Sequence, residues 1–171
     1  MKIKKIRQIS GFTLLELLVT IAAFAILASI GVPAFRTTIA NNHIESVSNS
    51  LRNSLVTARN KAIETASRVS VIPESAGDWS GWRVDSGQVQ SVTDLTSVYG
   101  KTSADNDIVS IVFTEDGSLD EESLEYRVFS VCYDGDVGGI KPKAVVVSPG
   151  GLVLIKDEVQ LIDLHINCPS S

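Results

Sequence analysis

The chain has 171 residues, a size that accommodates one domain and a membrane segment but not two full domains. Its formal net charge is −5, and the charges are unevenly distributed. From Arg68 onward there are 7 basic and 17 acidic side chains. Because nucleic-acid affinity comes mainly from Lys and Arg that neutralise phosphates, this composition argues against DNA binding by the C-terminal part of the chain.

The first eleven residues, 1–11, form a basic leader without any acidic side chain. Its cations are Lys2, Lys4, Lys5 and Arg7. Without the leader, the remaining 11 basic and 20 acidic side chains give a net charge of −9. Because positive charges directly before an apolar segment keep that end of a membrane protein inside the cell, we predict a cytoplasmic N-terminus.

An apolar segment follows the leader over residues 12–35. Its 24 residues exceed the roughly 20 that a helix needs to cross the hydrocarbon core of a bilayer. The segment contains one charged residue, Glu16, and a carboxylate inside a membrane costs about 2.5–3.5 kcal/mol. We therefore expect Glu16 to have a function and a partner.

Two simpler interpretations of this segment exist. A secretory signal peptide would be cut after the triplet Ala23-Phe24-Ala25, but this triplet lies inside the apolar run, with Ile26 and Leu27 following it. A plain signal anchor fits the length of the segment but assigns no role to Glu16. Pro33, near the end of the segment, is predicted to bend or loosen the helix because it lacks a backbone donor.

Residues 36–66 are predicted to continue this helix with an amphipathic pattern. Its apolar stripe has spacings of three and four residues and comprises Ile44, Val47, Leu51, Leu55, Ala58, Ala62 and Ala66. Together with the apolar segment it would form one helix from Phe12 to about Ala66, about 80 Å long at about 1.5 Å per residue.

Residues 67–171 are predicted to form a β-rich head domain. Alternating and β-branched patterns predict strands over 68–72, 82–85, 88–92, 108–114, 124–133, 144–148 and 152–156, with a possible last strand over 161–166. The polar stretch 91–107 is predicted to be a surface loop. Trp79 and Trp82 are expected in the head core or at a sheet edge. A helix followed by antiparallel strands indicates an α+β fold, with the helix on one face of a sheet.

The two cysteines, Cys132 and Cys168, lack the spacing of a zinc site. If the head is exported, a disulfide is favoured, and the chain-entropy model gives it roughly 4 kcal/mol. Two buried free thiols are the alternative. The short acidic loops 105–107 and 134–136 lack the spacing of a complete calcium loop. No enzyme motif, metal site or cofactor site is found in the sequence.

The N-terminal sequence Gly11-Phe12-Thr13-Leu14-Leu15-Glu16, after a short basic leader, resembles the class III signal of type IV prepilins and type II secretion pseudopilins. Features of the head are similar to those of the GspH/FimT group, whose pilus members include the FimU-like minor pilins. They are Gly81-Trp82-Arg83-Val84, Phe113 with Gly117, Cys132, the hairpin 145–150 and Cys168. The resemblance implies the type IV pilin fold, with a long helix packed on an antiparallel sheet.

The resemblance also implies roles for individual residues. Prepilin peptidase would cut between Gly11 and Phe12 and methylate the Phe12 amine. Glu16 would then pair with the Phe12 amine of a neighbouring subunit, and Pro33 would mark where the helix loosens during assembly. A buried ammonium and carboxylate attract strongly, while either one alone is costly, which supports such a pair on physical grounds.

The implied function is that of a minor pilin that primes assembly near the tip of a type IV pilus. Its implied partners are the major pilin, other minor pilins, prepilin peptidase and the inner-membrane assembly platform. It would cross the inner membrane once, with a periplasmic head, before entering the pilus or pseudopilus. A type II secretion pseudopilin is the alternative. A DNA-capturing FimT-like role is disfavoured, because residues 150–154 lack the arginines of those proteins, and Lys141, Lys143 and Lys156 do not offset this.

Overall fold

A computed structural model of the chain describes residues 12–75, 78–85, 87, 90–91, 96–104, 106–120, 125–135, 138–157 and 168. The chain divides into two compact units, with the boundary between Arg36 and Thr37. Nine elements follow one another within these described residues. They are α1 (Leu14–Thr65), β1 (Val69–Ser75), β2 (Asp78–Val84), β3 (Gln90–Ser91), β4 (Thr96–Thr102), β5 (Ile111–Phe113), β6 (Arg127–Tyr133), β7 (Lys143–Val147) and β8 (Val153–Asp157).

In the second unit, helix α1 buries most of the stripe that the sequence predicts. The buried apolar positions are Ala40, Ile44, Val47, Leu51, Leu55, Ala58 and Ala62. Ala66 is an exception: the helix ends at Thr65, and Ala66 is exposed with a φ of 44°. The Ser67 amide donates to the Ala62 carbonyl at 3.2 Å, the i to i−5 bond of a Schellman ending. Ala66 therefore terminates the helix and does not extend its stripe.

The strands that the structure describes form two four-stranded sheets, and the neighbouring strands in each are antiparallel. Sheet A has the order β3-β2-β1-β5, and sheet B has the order β4-β6-β7-β8. The predicted α+β fold with a long N-terminal helix is confirmed, although the sequence indicated one sheet where the structure has two. The possible strand over 161–166 lies outside the described residues.

The core of the head is built around two tryptophans and side chains from α1 and both sheets. Trp79 and Trp82 are both buried, so both are core residues. The Trp79 ring packs edge-on against Phe129 at a centroid distance of 4.6 Å, and its Nε1 donates to the Ile108 carbonyl at 2.7 Å. This bond satisfies the polar atom of a large side chain that contributes mainly by apolar burial.

Strand β4 is absent from the prediction, which placed a surface loop over 91–107. Its inward positions are Thr96, Val98 and Gly100, so only one of the three carries a large apolar side chain. Gly100 is required because a Cβ there would lie 2.9 Å from the Trp79 indole and 3.1 Å from the Phe129 ring. The Trp79 ring occupies the space that a side chain of β4 would otherwise occupy. The sequence of β4 therefore lacks the apolar alternation by which a strand is recognised.

Helix α1 meets both sheets at one junction. The Arg59 Nε donates to the Gly117 carbonyl at 2.9 Å in the turn after β5, while Gly151 lies in the turn between β7 and β8. Gly117 and Gly151 have φ values of 81° and 77°, which favour glycine. A Cβ on Gly151 would lie 1.9 Å from the Gly117 carbonyl oxygen and 2.8 Å from Arg59 Nε. The two turns therefore approach each other through bare backbone.

Replacing Gly151 should destabilise the head strongly. In Gly151→Ala, the methyl group meets the Gly117 carbonyl, and the residue must also keep a positive φ, so we expect a loss of about 2–4 kcal/mol in unfolding free energy. Gly150→Ala is the matched control, because no atom lies within 4 Å of its Cβ position. Denaturant unfolding of both variants measures the difference, and equal stability of the two would contradict this account of the junction.

The turn after β5 also has a pH-sensitive carboxylate. Thr114 Oγ1 and the Ser118 backbone amide and hydroxyl donate to Asp116 Oδ1, and they lower the pKa of Asp116 to about 2. A lowered carboxylate pKa stabilises the fold above the unfolded pKa near 3.8, and this contribution is lost as the pH falls to 2. The difference in Tm between wild type and Asp116→Asn should therefore shrink over that range. Glu115→Gln, at the neighbouring exposed position, should show no comparable trend.

Candidate functional site: the N-terminal segment

The N-terminal segment begins, within the described residues, at Phe12, and Gly11 lies outside them. The predicted cleavage between Gly11 and Phe12 and the methylation of Phe12 therefore stay predictions. The Phe12 side chain is 78% exposed and stands two residues before the first helical position, Leu14. It is available to other molecules at the start of the helix.

Thr13 and Glu16 form a reciprocal capping box at this start. The Glu16 amide donates to Thr13 Oγ1 at 3.3 Å, and the Thr13 amide donates to Glu16 Oε2 at 3.5 Å. Thr13 is the N-cap residue, and Glu16 is the third helical residue, the spacing that defines a capping box. The carboxylate also lies at the positive end of the helix dipole, where a negative charge is favourable. Glu16 therefore has a local structural role in the single subunit.

The sequence analysis did not recognise the contribution of Thr13. The signal was present as Thr-x-x-Glu directly before an apolar run, a pattern that indicates a helix start. The carboxylate has two oxygens, so one local hydrogen bond leaves acceptor capacity for a second donor.

The segment after the capping box exposes its apolar side chains on all sides. Of the described residues, only α1 is long and apolar enough to cross a membrane: its most apolar window has a mean hydropathy of 2.3, and none of this window is buried. Two hydroxyls in the segment bond back to helix carbonyls, Thr20 Oγ1 to Leu17 at 2.8 Å and Ser29 Oγ to Ile26 at 2.7 Å. These bonds satisfy polar groups internally, which a membrane helix requires.

Pro33 lies inside α1, and the helix continues through it to Thr65. Proline has no backbone N–H, so the Ser29 carbonyl four residues earlier receives no helical hydrogen bond from this position. Gly31, which has no side chain, lies two residues before Pro33. A role for Pro33 in assembly stays a prediction.

Lys143 in β7, one of the cations of the head, is held by carboxylates. Lys143 Nζ is engaged by Glu45 Oε2 and lies 3.5 Å from Asp157 Oδ1. The hydrogen bond with Glu45 raises the pKa of Lys143, and the same contact lowers the pKa of Glu45. Leu152 and Leu154 are exposed where DNA-capturing relatives were expected to have arginines. Among the residues that the structure describes, no three His, Cys, Asp or Glu side chains gather to hold a metal.

Cys132 and Cys168 form a disulfide, which is the pair that the sequence analysis favoured over free thiols. The bridge joins β6, an inner strand of sheet B, to a residue near the end of the chain. Such a bond persists in oxidising compartments and is rare in the cytosol. It is therefore the chemistry expected of an exported head.

Comparisons with known proteins agree with this geometry. The family model described as Type II transport protein GspH matches residues 47–151, and the model described as Prokaryotic N-terminal methylation motif matches residues 6–32. The chain belongs to the GspH family and carries the N-terminal methylation motif. A search of curated protein sequences finds no match.

Solved structures show the same fold. One crystal structure of the Pseudomonas aeruginosa type IV minor pilin FimU is 18% identical, covers 67% of this chain and 89% of its own, and gives a TM-score of 0.54. A second crystal form of FimU is 20% identical to this chain and gives a TM-score of 0.51. The match covers 66% of this chain and 91% of the FimU chain. At these identities the likeness establishes the fold of the head, which is that of a type IV pilin.

Removing the N-cap should loosen the start of α1. In Thr13→Ala, the Glu16 amide loses its acceptor, at a cost of about 0.5–2 kcal/mol, so amide exchange in the first helical turn should accelerate about 2–30-fold. Hydrogen exchange of the full chain in detergent micelles measures this. Thr13→Ser should keep the wild-type exchange rates of the first turn. Thr20→Val should change the exchange rates only in the helical turn that contains residue 20. Unchanged exchange in Thr13→Ala would exclude the capping box.

Proposed function

We propose that the chain is a minor pilin of a type IV pilus, a structural subunit that primes filament assembly near the tip. It is made as a single-pass inner-membrane protein with its head in the periplasm. Prepilin peptidase removes residues 1–11 and methylates the Phe12 amine, and the subunit then leaves the membrane for the filament. Its role is assembly with other pilins, and no catalytic step is assigned to it.

One observation supports this proposal above the others. An exposed apolar helical surface begins at a capping box whose carboxylate, Glu16, is the one charged side chain between Phe12 and Arg36. Such a surface needs either lipid or the apolar helices of other subunits around it. A plain membrane anchor explains the apolar surface and leaves the carboxylate with its capping bond alone, while an assembling subunit also provides a partner for its charge.

The carboxylate gains its partner through cleavage. Before cleavage, the Phe12 nitrogen is part of a neutral peptide bond. After cleavage, it is an ammonium, and an ammonium in an apolar surrounding requires a counter-charge. Pairing the Glu16 carboxylate with the Phe12 ammonium of a neighbouring subunit neutralises both charges and fixes the relative position of the two helices.

A type II secretion pseudopilin is the second candidate function. The description of the matching family model, Type II transport protein GspH, favours it, whereas the fold likeness to FimU favours the pilus. Both functions use the same helix and the same charge pair. DNA capture is a weaker candidate, because Leu152 and Leu154 are exposed at the hairpin and Lys143 is engaged by Glu45.

Two substitutions at Glu16 separate its capping role from its proposed charge pair. Glu16→Gln keeps an acceptor for the Thr13 amide, since glutamine also serves in capping boxes, but it lacks the charge. We expect Glu16→Gln and Glu16→Ala to reduce the recovery of the chain with other pilins about tenfold or more, because one unpaired charge in an apolar site costs more than about 1.4 kcal/mol. Co-purification of filaments from cells measures this recovery.

The control for these variants is Glu64→Ala, which removes an exposed carboxylate from the same helix. Mass spectrometry of each variant should find a mature chain that starts at methylated Phe12, which shows that processing is intact. If Glu16→Gln assembles as well as wild type, the charge pair is wrong and capping is the only role of Glu16. If neither substitution affects recovery, Glu16 has no role in assembly, whereas the assembly function itself is contradicted if the wild-type chain is not recovered with other pilins.

A further inference from the structure

A polar cleft of about 360 Å³ lies between α1 and the β2–β3 side of sheet A. Four of its lining residues belong to α1 and share one side of the helix, because spacings of three and four residues return to the same side. The volume falls within the range of small-molecule sites, about 300–1,000 Å³. The lining residues are Ser50, Asn53, Ser54, Thr57, Val84, Gly87 and Gln90.

The cleft contains hydroxyl and amide groups that the protein does not use. Hydroxyls in a helix commonly bond back to its own carbonyls, as Ser48 does to Ile44 and Thr65 does to Lys61, both at 2.7 Å. Five lining side chains make no side-chain hydrogen bond among the described residues, and they keep both donor and acceptor capacity. They are Ser50, Asn53, Ser54, Thr57 and Gln90.

The lining of the cleft is uncharged, since none of the described residues that line it is acidic or basic. Two charges stand next to it in the sequence: Lys61 lies four residues after Thr57, and Asp85 directly follows Val84. These two side chains pair with each other at 3.2 Å. A charged ligand would lose water in the cleft without gaining a counter-charge, which is costly, so the cleft suits an uncharged polar ligand.

Strand β2 gives the cleft an apolar inner side. Val84 packs against the main core, and Trp82, two residues earlier, lies on the same face of β2. Trp82 pairs in register with Gln90, so the Gln90 side chain also lies on the face that packs against α1. The Trp82 Nε1 is a buried donor without a partner among the described residues. The cleft thus combines an apolar base with a polar rim.

We propose that this cleft is a saccharide-binding site that holds one sugar ring. A sugar is uncharged, carries hydroxyl donors and acceptors around its rim, and presents C–H groups on its faces. Asn53 on the helix and Gln90 on β3 hydrogen-bond to the rim from opposite sides, while Val84 contacts a ring face. A peptide fits less well, because peptide recognition uses side-chain pockets and this cleft has a single apolar residue. The site goes beyond the proposed function and does not depend on it.

The test is a ligand-observed NMR titration of the full chain, in micelles of a detergent that has no sugar head group. The probes are N-acetylglucosamine and glucose, and we expect saturable binding of at least one of them with a millimolar Kd. Asn53→Ala and Gln90→Ala should each weaken this binding about 2–10-fold, because each removes a hydrogen bond to the ligand. Asn60→Ala is the matched control, since Asn60 is an exposed amide seven residues further along the same helix and outside the cleft.

Several outcomes would overturn the proposal. They are no saturation by either sugar well above millimolar concentration, an equal loss of binding in Asn53→Ala and Asn60→Ala, or binding of cyclohexanol as strong as that of the sugars. Displacement of the sugar by inorganic phosphate would also contradict it, because the cleft has no cation in its described lining. Asn53 and Gln90 are exposed, so both variants should keep the wild-type Tm, and a loss of binding then reports on the site. Failure here leaves the Glu16 experiment unaffected, because that experiment measures assembly.

Discussion

The head depends on the contact between Arg59 of the helix and the Gly117 carbonyl, with Gly151 beside it. This contact joins three elements that are distant in the sequence: the end of α1, the turn after sheet A's last strand, and the last hairpin of sheet B. Both turns have a glycine at positive φ, and a Cβ would meet the Gly117 carbonyl at Gly151 and the Ile63 side chain at Gly117. The guanidinium donates to a part-buried carbonyl outside the strands and so satisfies that acceptor.

Helix α1 has two kinds of surface, one before Arg36 and one after it. After Arg36 the helix buries one stripe and leaves its other sides polar, whereas before Arg36 it is apolar on every side. The polar groups that do occur in the first part, Thr20 and Ser29, bond to their own helix. Glu16 is the one charged side chain between Phe12 and Arg36, and its carboxylate keeps acceptor capacity beyond the capping bond.

The sequence predicted the elements whose apolar residues follow a single helical or strand period. The stripe of α1 and the hairpin of β7 and β8 follow from simple periods, and the N-terminal motif identified the class of protein. Strand β4 was missed because Trp79 occupies the space above Gly100, so the residues that define the strand lie elsewhere in the chain. Ala66 was assigned to the stripe because its positive φ depends on the Schellman ending, which the spacing does not reveal. Thr13 was missed although its signal is local.

The geometry of the capping box bears on how Glu16 can change partners in the proposed assembly. The bond from the Thr13 amide to the carboxylate is 3.5 Å long, at the limit of a hydrogen bond, so its loss costs little. The bond from the Glu16 amide to Thr13 Oγ1 does not involve the carboxylate and can remain. Cleavage would place an ammonium near the positive end of the helix dipole, where a cation is unfavourable without a counter-charge. In the proposed assembly, the carboxylate can thus pair with a neighbouring ammonium while the Thr13 hydroxyl continues to cap the helix.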